Sequence, residues 1–263
     1  MSVAPVTLSP AAKCFELARP VLLTGLFLAV GSRWGWAAAA PVALASVFAW
    51  SILVHDLIHN ALRLGPVLGE LSLAVAAQFL VKSGHALRAL HTVHHRRCLE
   101  DDDTEGNVAL VPFARLTVLG PWLAFKARFE AWRAAPSTRG WQLVETFANG
   151  LVLVGLAASA VITRSPAPLV YWGAVVFVTV TAPVWGAKIP HMVPYDHPWV
   201  RRLASLTGRL TPATASVLLH ELHHRRPGLP VSLLSEHRHE LDTTSPSDCA
   251  RRMGHAPAED HAG

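Results

Sequence analysis

The chain has 263 residues, enough for one large domain or two small ones, and composition decides its class: 51% of residues are apolar, 16% are charged, and mean hydropathy is +0.33. The apolar positions fall in long runs without helical or strand alternation, which excludes an ordinary soluble domain and indicates an all-α integral membrane protein. A net charge of +5 with no aromatic-basic motif excludes nucleic acid as a partner and fits basic residues flanking membrane spans.

Residues 1–19 are mixed in polarity and read as an N-terminal interfacial segment. No charged n-region precedes the first apolar run, so an uncleaved span is expected and a cleaved signal peptide is not. Pro20–Val54 carries one charge, Arg33, and is too long for a single span. A break at Gly31–Gly35 gives a short first span and a second over about Trp36–Val54. Residues 65–82 and Val108–Phe125 are also apolar. If His59 and His91 serve one site, the chain between them is too short for two crossings, so 65–82 is re-entrant or interfacial. Val108–Phe125, interrupted by Pro112, Arg115 and Pro121, is read the same way. Spans over about Phe147–Ile162 and Leu169–Ala187 form a hairpin through Thr163–Pro166. About four transmembrane helices with interfacial helices are therefore expected, with the histidine segments and both termini on one face.

Charge indicates which face. Of 23 Lys and Arg, only Arg33 and Arg164 fall on the opposite side, so the histidines and both termini are expected to be cytoplasmic. Trp34, Trp36, Tyr171 and Trp172 fall near the outer span ends, where interfacial aromatics belong. Beyond Lys188 the chain turns polar and proline-rich, and residues 243–263 read as a poorly ordered C-terminal tail.

Three histidine segments carry the chemistry. His55 and His59 are spaced i, i+4; His91, His94 and His95 are spaced i, i+3, i+4; and His220, His223 and His224 repeat that triplet. On a helix each set shares a face and can meet at a metal. Eight imidazoles exceed what one ion takes, so two metals are expected; zinc, copper, iron and nickel all accept imidazole. The odd, widely spaced Cys14, Cys98 and Cys249 argue against a disulfide framework and an iron–sulfur cluster, and Cys98 reads as a reduced thiol. His237, His239, His255 and His261 read as solvated.

In this order, and with an apolar hairpin between the last two, HDLIH, HTVHH and HELHH resemble the three histidine boxes of the membrane fatty acid desaturase superfamily. The resemblance covers roughly residues 20–235 and makes 20–242 a desaturase-like membrane domain. It implies a cytoplasmic di-iron centre that uses O2 and electrons to attack unactivated C–H bonds. The implied ligands are His55, His59, His91, His94, His95, His220, His223 and His224. The superfamily commonly has a further ligand before the third box, a place that His191 fits; His85 and His197 lack box spacing. Asp56, Asp101, Asp102, Asp103 and Glu221 are candidates to accept the second N–H of ligand imidazoles. The early GLFLAV run, Ile189-Pro190-His191, the acidic residues after the second box and HHRRPGLP are similar to the carotene ketolase and hydroxylase branch. The substrate implied is a fatty acyl lipid or a carotenoid, and the electron donor a separate protein of ferredoxin or cytochrome type.

Two other function classes use the same residues. Two zinc ions could generate hydroxide for hydrolysis of a membrane ester or amide, and redox dependence separates that reading from oxidation. A metal transporter or sensor is the poorest fit, because Trp36–Val54, Phe147–Ile162 and Leu169–Ala187 contain no Asp, Glu, His, Lys or Arg.

Overall fold

The computed structural model describes residues 6–194, 197–207, 212–242 and 247–253, and among the described residues there are helices and turns but no strand. Helix α1 runs Pro10–Trp34 and α2 Trp36–Ile58. The oxygen of Ser9 caps α1 by accepting the Ala12 amide at 3.2 Å, so the first ten helical residues extend the span outward through the stretch expected to be interfacial. The break falls at Gly35, whose φ of +90° few other residues adopt. Gly31 is needed there too, since a Cβ would meet the Trp36 ring at 2.1 Å. The remaining helices are α3 (Pro66–Gln78), α4 (Gly84–Arg97), α5 (Phe113–Ala134), α6 (Arg139–Thr163), α7 (Ala167–Ala182), α8 (Ile189–Met192), α9 (Pro198–Thr207), α10 (Pro212–Leu218), α11 (His220–Arg225) and α12 (Asp248–Arg252).

Among the described residues, four helical stretches are long and apolar enough to cross a membrane: Pro10–Trp34, Trp36–Ile58, Pro136–Thr163 and Ala167–Met192. At 13 residues, α3 reaches only about 20 Å, well short of a hydrocarbon core of roughly 30 Å. Neither α3 nor α5 is among the four, as the parity argument requires.

The chain divides into two compact units, one formed by the described parts of Met1–His91 and Gly120–Thr181, the other by those of Thr92–Leu119 and Ala182–Gly263. In the first, α1 and α2 form an antiparallel hairpin. Small residues Ala39, Ala43 and Val47 on α2 are fully buried and let the two backbones approach closely. Polar groups between the helices are satisfied locally: Trp50 Nε1 donates to Thr24 Oγ1 at 3.1 Å, and Thr24 and Ser46 share a 2.8 Å hydrogen bond. Large apolar side chains such as Phe147, Val154, Val161 and Ile162 on α6 point outward, as expected of surfaces that meet lipid.

The second unit is built from short helices around the π-helical turn Pro183–Lys188, which rearranges the register just before His191. Lys188 Nζ donates to the carbonyls of Ala109 and Val111 at 2.9 and 2.8 Å, tying this turn to the 3-10 segment Gly106–Leu110. Here the structure departs from the expectation for Cys98: instead of a reduced thiol it is bonded to Cys249, with Cα atoms 5.3 Å apart. The two cysteines are 151 residues apart, so no spacing pattern announces the pair. Cys14 is the exposed free cysteine.

Candidate metal centre

In the first unit, His55 lies in the last turn of α2, His59 caps it, and His91 comes from α4. The i, i+4 spacing puts the first two on one helix face, and the ring of His91 completes a triangle. Ring centroids are 5.0 Å apart for His55–His59, 5.0 Å for His55–His91 and 4.8 Å for His59–His91. One ring nitrogen from each lies within 4.8 Å of the others. Asp56 is buried beside them, its Oδ1 at 3.9 Å from His55 Nδ1, beyond hydrogen-bond range.

The second unit gathers the other six. His94 and His95 come from the end of α4, His191 from α8, and His220, His223 and His224 from α11. The Nε2 of His224 is 3.2 Å from that of His94 and 3.1 Å from that of His220. The His191 ring centroid is 4.7 Å from that of His220 and 5.0 Å from that of His94. His95 and His223 approach Nε2 to Nε2 at 2.9 Å. Nitrogens bound to one transition metal at about 2.0–2.1 Å lie roughly 2.8–3.4 Å apart in octahedral or tetrahedral arrangement, so the approach of His94 and His220 to His224 suits a shared ion. A space of 20 Å³ lined by His191, His220, His224 and Cys249 adjoins them. Cys98 also lies within ligand range of His94, His191 and His224, but its sulfur is bonded to Cys249, whose Sγ is 3.3 Å from His191 Nδ1.

Carboxylates fix the orientation of this cluster unevenly. Asp103 is fully buried, and its Oδ2 accepts from His94 Nδ1 at 2.8 Å, which leaves Nε2 facing His224. Backbone amides hold Asp103 in turn: Leu99 N donates at 2.7 Å and Gly106 N at 2.8 Å. A Cβ on Gly106 would meet Asp103 Oδ2 at 2.1 Å and His94 Nδ1 at 2.7 Å, so only glycine allows this clamp. Burial disfavours the His94 cation, but the Asp103 hydrogen bond and the charges of Glu105 and Asp103 outweigh it and raise its pKa. At His224, burial and then the rings of His220, His94, His95 and His191 push the pKa well below the ordinary value, which keeps a neutral lone pair available.

The other acidic candidates sit elsewhere. Asp102 pairs with Arg97, and Asp101 is exposed. Glu221 accepts from Arg225 Nε and Ser247 N, both at 2.7 Å, and from Ser247 Oγ at 2.6 Å, so it anchors the α11 and α12 segments to each other. His85 belongs to a separate network, with Nδ1 on Glu145 and Nε2 on Glu70. His197 is exposed beside the Trp199 ring, and His237 bonds Glu240 at 2.9 Å. His239 is exposed, while His255 and His261 lie outside the described residues. Sequence reasoning missed Gly106, Leu99, Lys188 and Ser247, which act through backbone geometry or through partners distant in the chain.

A model of the fatty acid desaturase family matches residues 34–254. No curated protein and no solved structure matches the chain. The family match takes in all three histidine segments, His191 and both clusters described above, and the chain belongs to the fatty acid desaturase family.

Proposed function

We propose that the protein is a membrane-bound, O2-dependent di-iron oxidoreductase that hydroxylates, oxidises or desaturates the hydrocarbon chain of a fatty acyl lipid or carotenoid. Family membership makes it a membrane oxidoreductase of lipid type. The observation that carries the finer reading is the approach of His94 Nε2 and His220 Nε2 to His224 Nε2, at 3.2 and 3.1 Å, with Asp103 orienting His94 from behind. Nine histidines serve as ligands in this reading: His55, His59, His91, His94, His95, His191, His220, His223 and His224. Nine histidines exceed what one ion takes, which supports two irons.

Bound iron would supply the redox chemistry that turns dioxygen into an oxidant for unactivated C–H bonds. Hydroxylation consumes one dioxygen, two electrons and two protons to give an alcohol and one water; desaturation gives a double bond and two waters. The electrons come from a separate ferredoxin- or cytochrome-type protein. The residues of this chain hold and orient the ligands, and burial around His94 and His223 excludes water. The histidine face and both termini are cytoplasmic, a reading supported by the excess of Lys and Arg on that side.

The test is turnover in reconstituted vesicles under labelled dioxygen, with a chemical reductant and redox mediator, against carotenoid and acyl-lipid substrates separately. Reductant-dependent formation of an alcohol, ketone or alkene is expected. Reductant-independent release of a hydrolysis product by a zinc-loaded preparation would replace this reading with the hydrolase.

A further inference from the structure

The first unit contains a cavity of about 760 Å³ at the end of α2 opposite His55 and His59, within the roughly 300–1,000 Å³ typical of ligand pockets. Its walls are apolar: Phe27, Trp36, Phe79, Leu156, Tyr171 and Val175 line it. Along α6 it runs from Val152 to Thr163, about 16 Å at the helical rise, or roughly half the hydrocarbon core. Its rim holds the hydroxyl residues Ser32, Thr163 and Ser165, from the α1–α2 and α6–α7 junctions. Those junctions also carry the two arginines that stand apart from the other basic residues of the chain. Arg33 follows Ser32, Arg164 lies between Thr163 and Ser165, and both are exposed. Exposed Leu28, Val161, Ile162 and Leu169 flank the same end.

We propose that this cavity binds one acyl chain of an anionic glycerophospholipid from the leaflet opposite the histidines, with its phosphate at Arg33 and Arg164. The apolar walls take hydrocarbon, and their position among membrane-spanning helices admits only chains that arrive through the bilayer. Guanidinium groups suit the several acceptor oxygens of a phosphate, and the Ser165 hydroxyl, which accepts the Ala167 amide, can donate to one of them. The second acyl chain stays in the bilayer against the exposed apolar flank. This binding does not depend on the oxidation chemistry, and metal content and turnover measured on the same samples keep the two readings separate.

The test uses the full-length, metal-loaded protein in phosphatidylcholine vesicles doped with trace phosphatidylglycerol, phosphatidylcholine or free fatty acid, each with a photoreactive diazirine on the chain, followed by peptide mapping. The phosphatidylglycerol probe should label Thr24–Ser32 and Val152–Thr163 about fivefold or more above the phosphatidylcholine probe. Arg33→Gln with Arg164→Gln should remove the headgroup preference and leave the residual label in place. Leu156→Trp should fill the cavity and remove the label, and Val152→Phe serves if that variant does not insert. Equal labelling by both headgroups, stronger labelling by the free fatty acid, or label that survives both filling variants would overturn the proposal.

Discussion

The two ends of α4 each carry a histidine 1% exposed and bonded to a carboxylate, yet their second nitrogens face different groups. At the start, His85 has both nitrogens engaged: Nδ1 lies 2.9 Å from Glu145 and Nε2 2.7 Å from Glu70. Glu145 also accepts from Ser83 Oγ at 2.5 Å, and Arg88 donates to both oxygens of Glu70 at 2.7 and 2.8 Å. At the other end, His94 has one nitrogen on Asp103 and the other turned toward His224. A metal-binding histidine needs one nitrogen held and one left to coordinate. Burial and a carboxylate partner do not distinguish a ligand from a structural hydrogen-bond bridge; the second nitrogen does.

Predictions follow from this contrast, and the largest effect belongs to the end that carries His94, a ligand in the proposed function. His94→Ala should lose about half of the bound metal and bring turnover to background while membrane insertion persists. Full activity in that variant would remove the second box from the site. At the structural end, His85→Leu should keep full metal stoichiometry but destabilise the first unit by about 1–3 kcal/mol, because buried Glu145 keeps Ser83 Oγ and a backbone amide but loses the imidazole on its other oxygen. Thermal unfolding of His85→Leu beside the His85→Leu, Glu145→Leu double variant checks this, since the double change should recover most of the loss. Metal loss in His85→Leu with unchanged stability would erase the distinction between the two ends.

A smaller effect is expected behind the ligand. Asp103→Asn should weaken metal affinity about 10- to 100-fold, and Gly106→Ala should act in the same direction by displacing the clamp. Metal titration of the apo-protein measures both. Smallest is a pair outside both ends of α4. Glu240 is opposed by burial, but the hydrogen bonds from Arg226 and His237 lower its pKa below the ordinary value. A lowered carboxylate stabilises the fold above its unfolded pKa and loses that contribution as pH falls through the folded one. Glu240→Gln should therefore cost roughly 0.2–1 kcal/mol near neutrality. The difference from wild type should shrink toward zero at acid pH, and a difference that grows on acidification would contradict the assignment.

Much of this architecture was legible in the sequence because it depends on local spacing. The break near Gly35, the four spans and the i, i+3, i+4 histidines are properties of short windows, and helix periodicity converts them directly into faces. The roles of His85 and Cys98 were not legible, for a physical reason. The partners of His85 lie 15 and 60 residues away, and Cys249 lies 151 residues from Cys98, so only the folded chain brings them together. Glu221 shows the same limit: between His220 and His223 in sequence, it turns instead to Arg225 and Ser247. Gly106 carried no signal at all, because its importance is the absence of a side chain where Asp103 and His94 meet.

The most direct test of the central claim is the metal content of the purified, iron-supplied protein, by elemental analysis with Mössbauer spectroscopy on the same sample. The proposed di-iron reading predicts about two irons per chain. Two zincs that persist under iron supply, or no stoichiometric metal, would contradict it.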